Sequence, residues 1–231
     1  MGPPPLTRLA RAVDATILTP WATPAEVARA AEEACRYETA AVCVLPFHVR
    51  LCATITSGTR VAVAAAIAFP AGGAAPEAKA VEAAAAARDG ASELDLVANL
   101  GAIRAGAWDV VEAEARAVRE ACPGLLAKWI VEQDALDAAE LRRAVEAIAA
   151  GGGDFVKNAT GTGPGGATVA GIRTLRALAG TMGVKASGGI RRRDQALALL
   201  EAGADRIGTS ATAAILGSPE RPAARAAEGA R

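Results

Sequence analysis

The sequence predicts a single α/β domain folded as a closed (β/α)8 TIM barrel with a short lead-in helix at its N-terminus. Short apolar runs rich in Val, Ile and Ala alternate eight times with longer Ala/Glu/Arg stretches of helical character. Most of these runs are continuously apolar, as strands covered on both faces must be. Eight strand–helix units in about 215 residues fit a closed barrel better than an open doubly wound sheet.

The elements follow in order. A lead-in helix is expected over 6–12, and strands over 13–18, 41–45, 61–68, 93–97, 125–131, 154–157, 184–187 and 206–208. The helix at 24–37 opens with Thr23-Pro24-Ala25-Glu26. Thr23 suits the N-cap, Pro24 the first helical position, and Glu26 completes a capping box. Further helices are expected over 76–88, 108–121, 135–149, 169–179 and 192–202. Gly90, Gly151 to Gly153 and Gly203 follow helices as stop signals. Repeated units of this kind imply parallel pairing with right-handed crossovers. One domain is expected over 1–231, with a core at about 9–216 and a loose tail over 217–231.

Composition narrows the function. Hydrophobic residues make up 52% of the chain and aromatics only 3%, so Val, Ile, Leu and Ala must fill the core. The formal net charge is zero, which argues against nucleic acid as a partner. Arg191-Arg192-Arg193 reads as a solvated helix start. The most apolar stretch, 61–69, is ended by Pro70, Gly72 and Gly73 well short of a membrane span. No basic region followed by an apolar core opens the chain, so a signal peptide is not expected. Cys35, Cys43, Cys52 and Cys122 form no CxxC pair and read as reduced thiols of a cytoplasmic protein. A single histidine, His48, excludes a His-rich metal cage; neither metal nor cofactor is expected.

Lysine usage points to chemistry. Four lysines stand against 21 arginines, and Lys128, Lys157 and Lys185 lie inside the fifth, sixth and seventh apolar runs. Burying lysine is costly unless it is paired. What it offers over arginine is an amine that can become neutral and nucleophilic. Two amines close together in a desolvated pocket are one way to activate a Schiff-base lysine. Asp95, in the fourth run, precedes these lysines at successive intervals of 33, 29 and 28 residues. Each interval is about one βα unit, so the four residues converge on one pocket, with Asp14 and Thr16 of the first strand nearby. A carboxylate beside amines balances their charge and can shuttle protons.

Glycine-rich loops follow the last three strands: Gly161-Thr162-Gly163-Pro164-Gly165-Gly166, Ser187-Gly188-Gly189 and Gly208-Thr209-Ser210. Loops after strands seven and eight are the usual phosphate site of a barrel. The first loop also matches G-x-G-x-x-G, but no acidic residue stands about twenty positions on and Pro164 interrupts it, which disfavours a dinucleotide.

Several segments, taken in order, resemble the deoxyribose-phosphate aldolase family. They are Val42-Cys43-Val44 with Pro46, Phe69-Pro70 with Gly72, Lys79 with Glu82, Glu93-Leu94-Asp95-Leu96-Val97, Phe155-Val156-Lys157 with Thr160-Gly161, Val184-Lys185-Ala186-Ser187-Gly188-Gly189-Ile190-Arg191, and Gly203-Ala204-Asp205-Arg206-Ile207-Gly208-Thr209-Ser210. The resemblance implies a class I aldolase that cleaves 2-deoxy-D-ribose 5-phosphate to D-glyceraldehyde 3-phosphate and acetaldehyde. Lys157 would be the Schiff-base nucleophile, Lys185 the residue that lowers its pKa, and Asp95 with Lys128 the proton relay. Asp14, Thr16 and Thr160 would bind substrate, and Gly161, Gly188, Gly189, Gly208, Thr209 and Ser210 the phosphate. The partners implied are sugar phosphates and aldehydes, and the expected assembly is a homo-oligomer, dimer or tetramer.

The chain departs from the family pattern at Ala15, Thr19 and Leu45, and at Asn158-Ala159 where the family has Thr-Ser. Those two positions are expected to flank the reacting amine. An aldolase of shifted substrate, a sugar-phosphate isomerase or epimerase without an imine, and a catalytically weak paralogue stay open on the sequence alone.

Overall fold

In the computed structural model, which describes residues 5–217, each of the eight apolar runs forms a strand. These are β1 (Val13–Ile17), β2 (Ala41–Val44), β3 (Ala62–Ile67), β4 (Glu93–Val97), β5 (Leu126–Ile130), β6 (Phe155–Lys157), β7 (Gly183–Ser187) and β8 (Arg206–Thr209). Neighbours pair in parallel and β8 returns to β1, so the sheet closes. Around it run α1 (Pro5–Ala10), α2 (Pro24–Tyr37), α3 (Val49–Thr56), α4 (Pro76–Arg88), α5 (Leu100–Arg104), α6 (Trp108–Ala121), α7 (Ala138–Ala150), α8 (Val169–Leu178), α9 (Arg193–Glu201) and α10 (Thr212–Leu216).

Local chemistry sets the boundaries. Thr23 and Glu26 form the expected capping box at α2. A second box, Asp137 with Glu140, starts α7 at Ala138, so residues 133–135 form a separate 3-10 turn instead of the helix start expected there. The lead-in helix stops at Ala10, short of the expected residue 12: the Ala12 amide turns back to the Leu9 carbonyl at 3.0 Å, and its carbonyl pairs with the Ile207 amide of β8 at 2.7 Å. Helices α3, α5 and α10 were not legible from the pattern; they have 8, 5 and 5 residues, too few turns for periodicity to show. The tail expected beyond Gly217 lies outside the described residues.

Strand register decides what enters the barrel. Outward residues such as Val42, Leu94, Trp129, Val156 and Ile207 pack against the helices in one continuous apolar core. Inward residues divide by size. On β2 and β3 they are small: Ala41, Cys43, Ala62 and Ala64 form their own cluster. On the other strands they include the charged side chains, with Asp95 beside Lys128, Lys157 beside Lys185, and Lys185 beside Arg206. Small side chains on one wall leave room for long ones crossing from the other.

Outside the barrel, α4 and α6 are joined by a buried ion pair, Lys79 Nζ to Glu114 Oε2 at 2.5 Å. Lys79 also donates to the Val97 carbonyl at 2.8 Å, and Glu114 Oε1 accepts from the Asn99 amide at 2.8 Å. The pair therefore clamps the end of β4, the strand that carries Asp95. Burial pulls the Lys79 amine down and pushes the Glu114 carboxyl up, each only partly offset by the other. Lys79→Met should leave Glu114 without its partner and cost about 3–5 kcal/mol in denaturant unfolding. Adding Glu114→Leu should restore most of that loss; equal instability of the single and double variants would mean that packing, not the charge pair, matters here.

Candidate active site

Asp95 is the hub of the barrel interior. Its Oδ1 accepts from Lys128 Nζ at 2.8 Å, while Oδ2 accepts from Lys157 Nζ at 2.7 Å and Lys185 Nζ at 2.6 Å. Asp14 Oδ2 is the second partner of Lys185 at 2.5 Å, and Asp14 Oδ1 accepts from Arg206 Nε at 2.8 Å. Glu93 closes the network, 2.7 Å from Lys128 and 2.8 Å from Arg206. Seven ionisable side chains from β1 and β4 to β8 thus share one connected cage.

Pairing overrides burial within it. Burial alone would push Asp95 up, but Lys128, Lys157 and Lys185 hold it well below the usual carboxylate range. Asp14 is likewise opposed by burial, yet Lys185, Lys128 and Arg206 hold it at about 2. Burial would pull Lys128 and Lys185 down; Asp95 and Asp14 outweigh it and raise both. Lys128 and Lys185 are therefore locked in the charged form.

Above the cage a cleft of about 950 Å³ opens at the C-terminal ends of the strands. Of the seven cage residues only Lys157 lines it. Lys128, Lys185, Asp14 and Asp95 have no exposed side-chain surface. Gly161, Gly188, Gly189, Gly208, Thr209 and Ser210 line the other side of the same cleft. The loops that carry them touch backbone to backbone: a Cβ on Gly188, at φ +94°, would come within 3.0 Å of Gly166 Cα. Gly208 has a second reason to lack a side chain. Its Cβ would lie 3.2 Å from Lys185 Cε, in the path by which that lysine crosses to Asp14.

Other expected residues sit differently. Asp14, expected against substrate, lies beneath the cleft, one layer below Thr16 on the inward face of β1, where it pairs with Lys185 and Arg206. Thr16 lines the cleft, its hydroxyl donating to the Asp14 carbonyl at 2.9 Å. Thr160 lines it too, but its hydroxyl donates to Glu132 at 3.1 Å and its amide to the same carboxylate at 2.5 Å. Glu132 thereby fixes the loop after β6. The Thr209 hydroxyl donates to the Ile190 carbonyl at 2.7 Å, which ties the β8 end to the neighbouring loop.

Asn158 turns away from the amine. Lys157 points inward, so Asn158 points out, and its Oδ1 accepts from the Ser187 amide at 2.7 Å. Ser187 Oγ donates to the Ala159 carbonyl at 2.5 Å. The Asn158 side chain thus staples the ends of β6 and β7, and the Ala159 backbone carbonyl adds to it. Glu93 and Arg206 are cage members that the sequence reading missed. Their signal was available: each stands two residues before an expected site residue, Asp95 and Gly208, and so on the same strand face.

Among the described residues, no group of three or more His, Cys, Asp or Glu could hold a metal ion, and no helix is long and apolar enough to cross a membrane.

No family model matches the chain. Individual relatives do. It is 44% identical over 211 residues to deoxyribose-phosphate aldolase 1 of Bacillus licheniformis, covering 90% of this chain and 95% of that protein. The deoxyribose-phosphate aldolase of Thermus thermophilus is 44% identical over 209 residues, with the same coverage. Among solved structures, the tetrameric deoxyribose phosphate aldolase of Aeropyrum pernix superposes with TM-score 0.84 at 32% identity, over 91% of this chain and 90% of that one. An aldolase designated QR15 gives TM-score 0.85 at 38% identity, over 90% and 94%.

Two outcomes follow from the geometry. Asn158→Leu should strand the Ser187 amide, cost about 1–3 kcal/mol of stability, and raise KM for a phosphorylated substrate more than it lowers kcat. An unchanged KM would remove the staple from substrate binding. For Asp14, the stabilisation is fully present above its unfolded value of about 3.9 and is lost as pH falls through its folded value of about 2. Wild type should therefore exceed Asp14→Asn in denaturant midpoint at neutral pH, with the gap closing between these two values. A gap constant with pH would contradict the charge assignment.

Proposed function

The chain belongs to the deoxyribose-phosphate aldolase family, and from that premise we propose that it cleaves 2-deoxy-D-ribose 5-phosphate reversibly to D-glyceraldehyde 3-phosphate and acetaldehyde through an imine on Lys157. One observation carries this reading above the others: Lys157 alone joins the buried charged cage to the open cleft.

The neutral Lys157 amine adds to C1 of the open-chain sugar, and loss of water leaves a protonated imine. The imine draws electrons from the C2–C3 bond as the C3 hydroxyl loses its proton. The bond breaks, D-glyceraldehyde 3-phosphate leaves, and an enamine of acetaldehyde remains on Lys157. Protonation at carbon and hydrolysis release acetaldehyde and restore the amine. Asp95, 2.7 Å from Lys157 and 2.8 Å from Lys128, is suited to pass these protons along the cage. Lys185 shares Asp95 Oδ2 with Lys157, and its fixed charge disfavours a second cation beside it.

Main-chain amides of Gly161, Gly188, Gly189 and Gly208 and the Thr209–Ser210 turn supply the phosphate side of the cleft, with Thr16 and Thr160 between the two ends. A phosphate bound there places C1 toward Lys157. Cytoplasmic location and assembly as a dimer or tetramer belong to the same reading; the Aeropyrum relative is tetrameric.

Incubation with acetaldehyde and borohydride should add a two-carbon unit to the intact mass, mapped to Lys157. Lys157→Arg should abolish it, because guanidinium keeps its proton. Label on Lys128 or Lys185, or none on the wild type, would overturn the assignment.

A further inference from the structure

The cage holds four cations, Lys128, Lys157, Lys185 and Arg206, against three carboxylates, Asp14, Glu93 and Asp95. With every group charged it carries one uncompensated positive charge in a buried space, which is costly. Release of one proton relieves that cost. Arg206 cannot supply the proton, because guanidinium does not deprotonate in proteins.

The geometry ranks the three lysines. Lys128 has carboxylates at 2.7 and 2.8 Å and a third at 3.8 Å. Lys185 has two, at 2.5 and 2.6 Å. Lys157 has only Asp95, whose same oxygen also serves Lys185. Lys157 is therefore the least paired of the three lysines.

Arg206 creates the excess. It lines no part of the cleft but bridges Asp14 and Glu93 from below, at 2.5 and 2.8 Å. Without it the cage would count three cations and three anions, and each lysine could stay protonated at no net charge. We propose that Arg206 is a positioning residue for the reaction: as the one cage cation that cannot lose its proton, it tips the cage one charge positive and so frees the Lys157 amine for attack. The proposal rests on the reading of Lys157 as nucleophile.

Asp95 of β4 is the charged group in contact with Lys157, and through the cage it is joined to Lys128 of β5, Lys185 of β7, Asp14 of β1, Glu93 of β4 and Arg206 of β8, with the Cys43 thiol of β2 pushed up by burial to about 11 and so uncharged. β3 offers only alanines and isoleucine apart from its one valine.

Charge-changing variants with opposite expected signs test this. The rate of acetaldehyde trapping by cyanoborohydride is followed by intact mass across pH, for wild type, Arg206→Met, Glu93→Gln and the double variant. Circular dichroism checks the fold of each. Arg206→Met should move the alkaline-going limb upward by about 1–2 pH units. Glu93→Gln, which adds excess positive charge, should move it downward, and the double variant should return toward wild type. A merely structural role would impair both single variants in the same way and would not be reversed by combining them. Should Arg206→Met fail to fold, the downward shift of Glu93→Gln decides the matter alone. An unmoved or upward-moving Glu93→Gln profile, or an unmoved Arg206→Met profile, overturns the proposal. If wild type traps nothing, or Lys157→Arg still traps, the underlying reading has failed instead.

Discussion

The structure turns on Asp95. A parallel barrel must fill its interior, and here much of that filling is amine. Three lysine side chains converge on two oxygens of one carboxylate. Removing the carboxylate would leave Lys157 without a partner and take one from Lys128 and Lys185, and breaking a buried pair costs about 3–5 kcal/mol against a domain's usual margin of about 5–15 kcal/mol. The same contacts that make the interior tolerable also place a proton acceptor beside the amine that reaches the cleft. Stability and reactivity thus share one set of bonds, which is why the cage cannot be optimised for either alone.

The rest of the barrel accommodates that cage. β2 and β3 present alanine and cysteine inward, and Gly208 presents no side chain, so Lys185 can cross to Asp14. On the outside, Lys79 and Glu114 hold the end of β4 through the Val97 carbonyl and the Asn99 amide. Above, Asn158 and Ser187 tie the β6 and β7 ends together. Each device fixes a strand end, and strand ends are where a barrel exposes its chemistry.

Much of this was legible in the sequence, for an identifiable reason. The strands are apolar runs, and α2, α4 and α6 carry either caps or long amphipathic or alanine-rich stretches, so their limits are locally encoded. The spacing of Asp95, Lys128, Lys157 and Lys185 repeats the βα unit, so their convergence follows from the fold. What was missed depends on side-chain direction or on partners far away in sequence. Asn158 sits next to Lys157 in the chain but on the opposite strand face, where its side chain meets the Ser187 amide. Asp14 reads as a pocket residue from its strand, yet it stands two residues before Thr16 on the same face and so one layer deeper, where Arg206, 192 residues later, pairs with it. Helices α3, α5 and α10 are too short for their pattern to be distinguished from loop.

Lysine scarcity alone does not mark chemistry, as Lys79 demonstrates. It is as fully buried as Lys185, and burial pulls its amine down. What separates it from the cage lysines is stoichiometry. Lys79 has Glu114 to itself, so the pair is neutral with both members charged, and either group losing its charge would expose the other. In the barrel four cations divide three carboxylates, and Lys157 receives the smallest share while standing nearest the cleft. Lysine is required at Lys157 because one member must be able to exist without its proton, whereas the permanence of guanidinium suits the member at Arg206. The distribution of the two basic residue types within one interior follows from which cation has to be able to disappear.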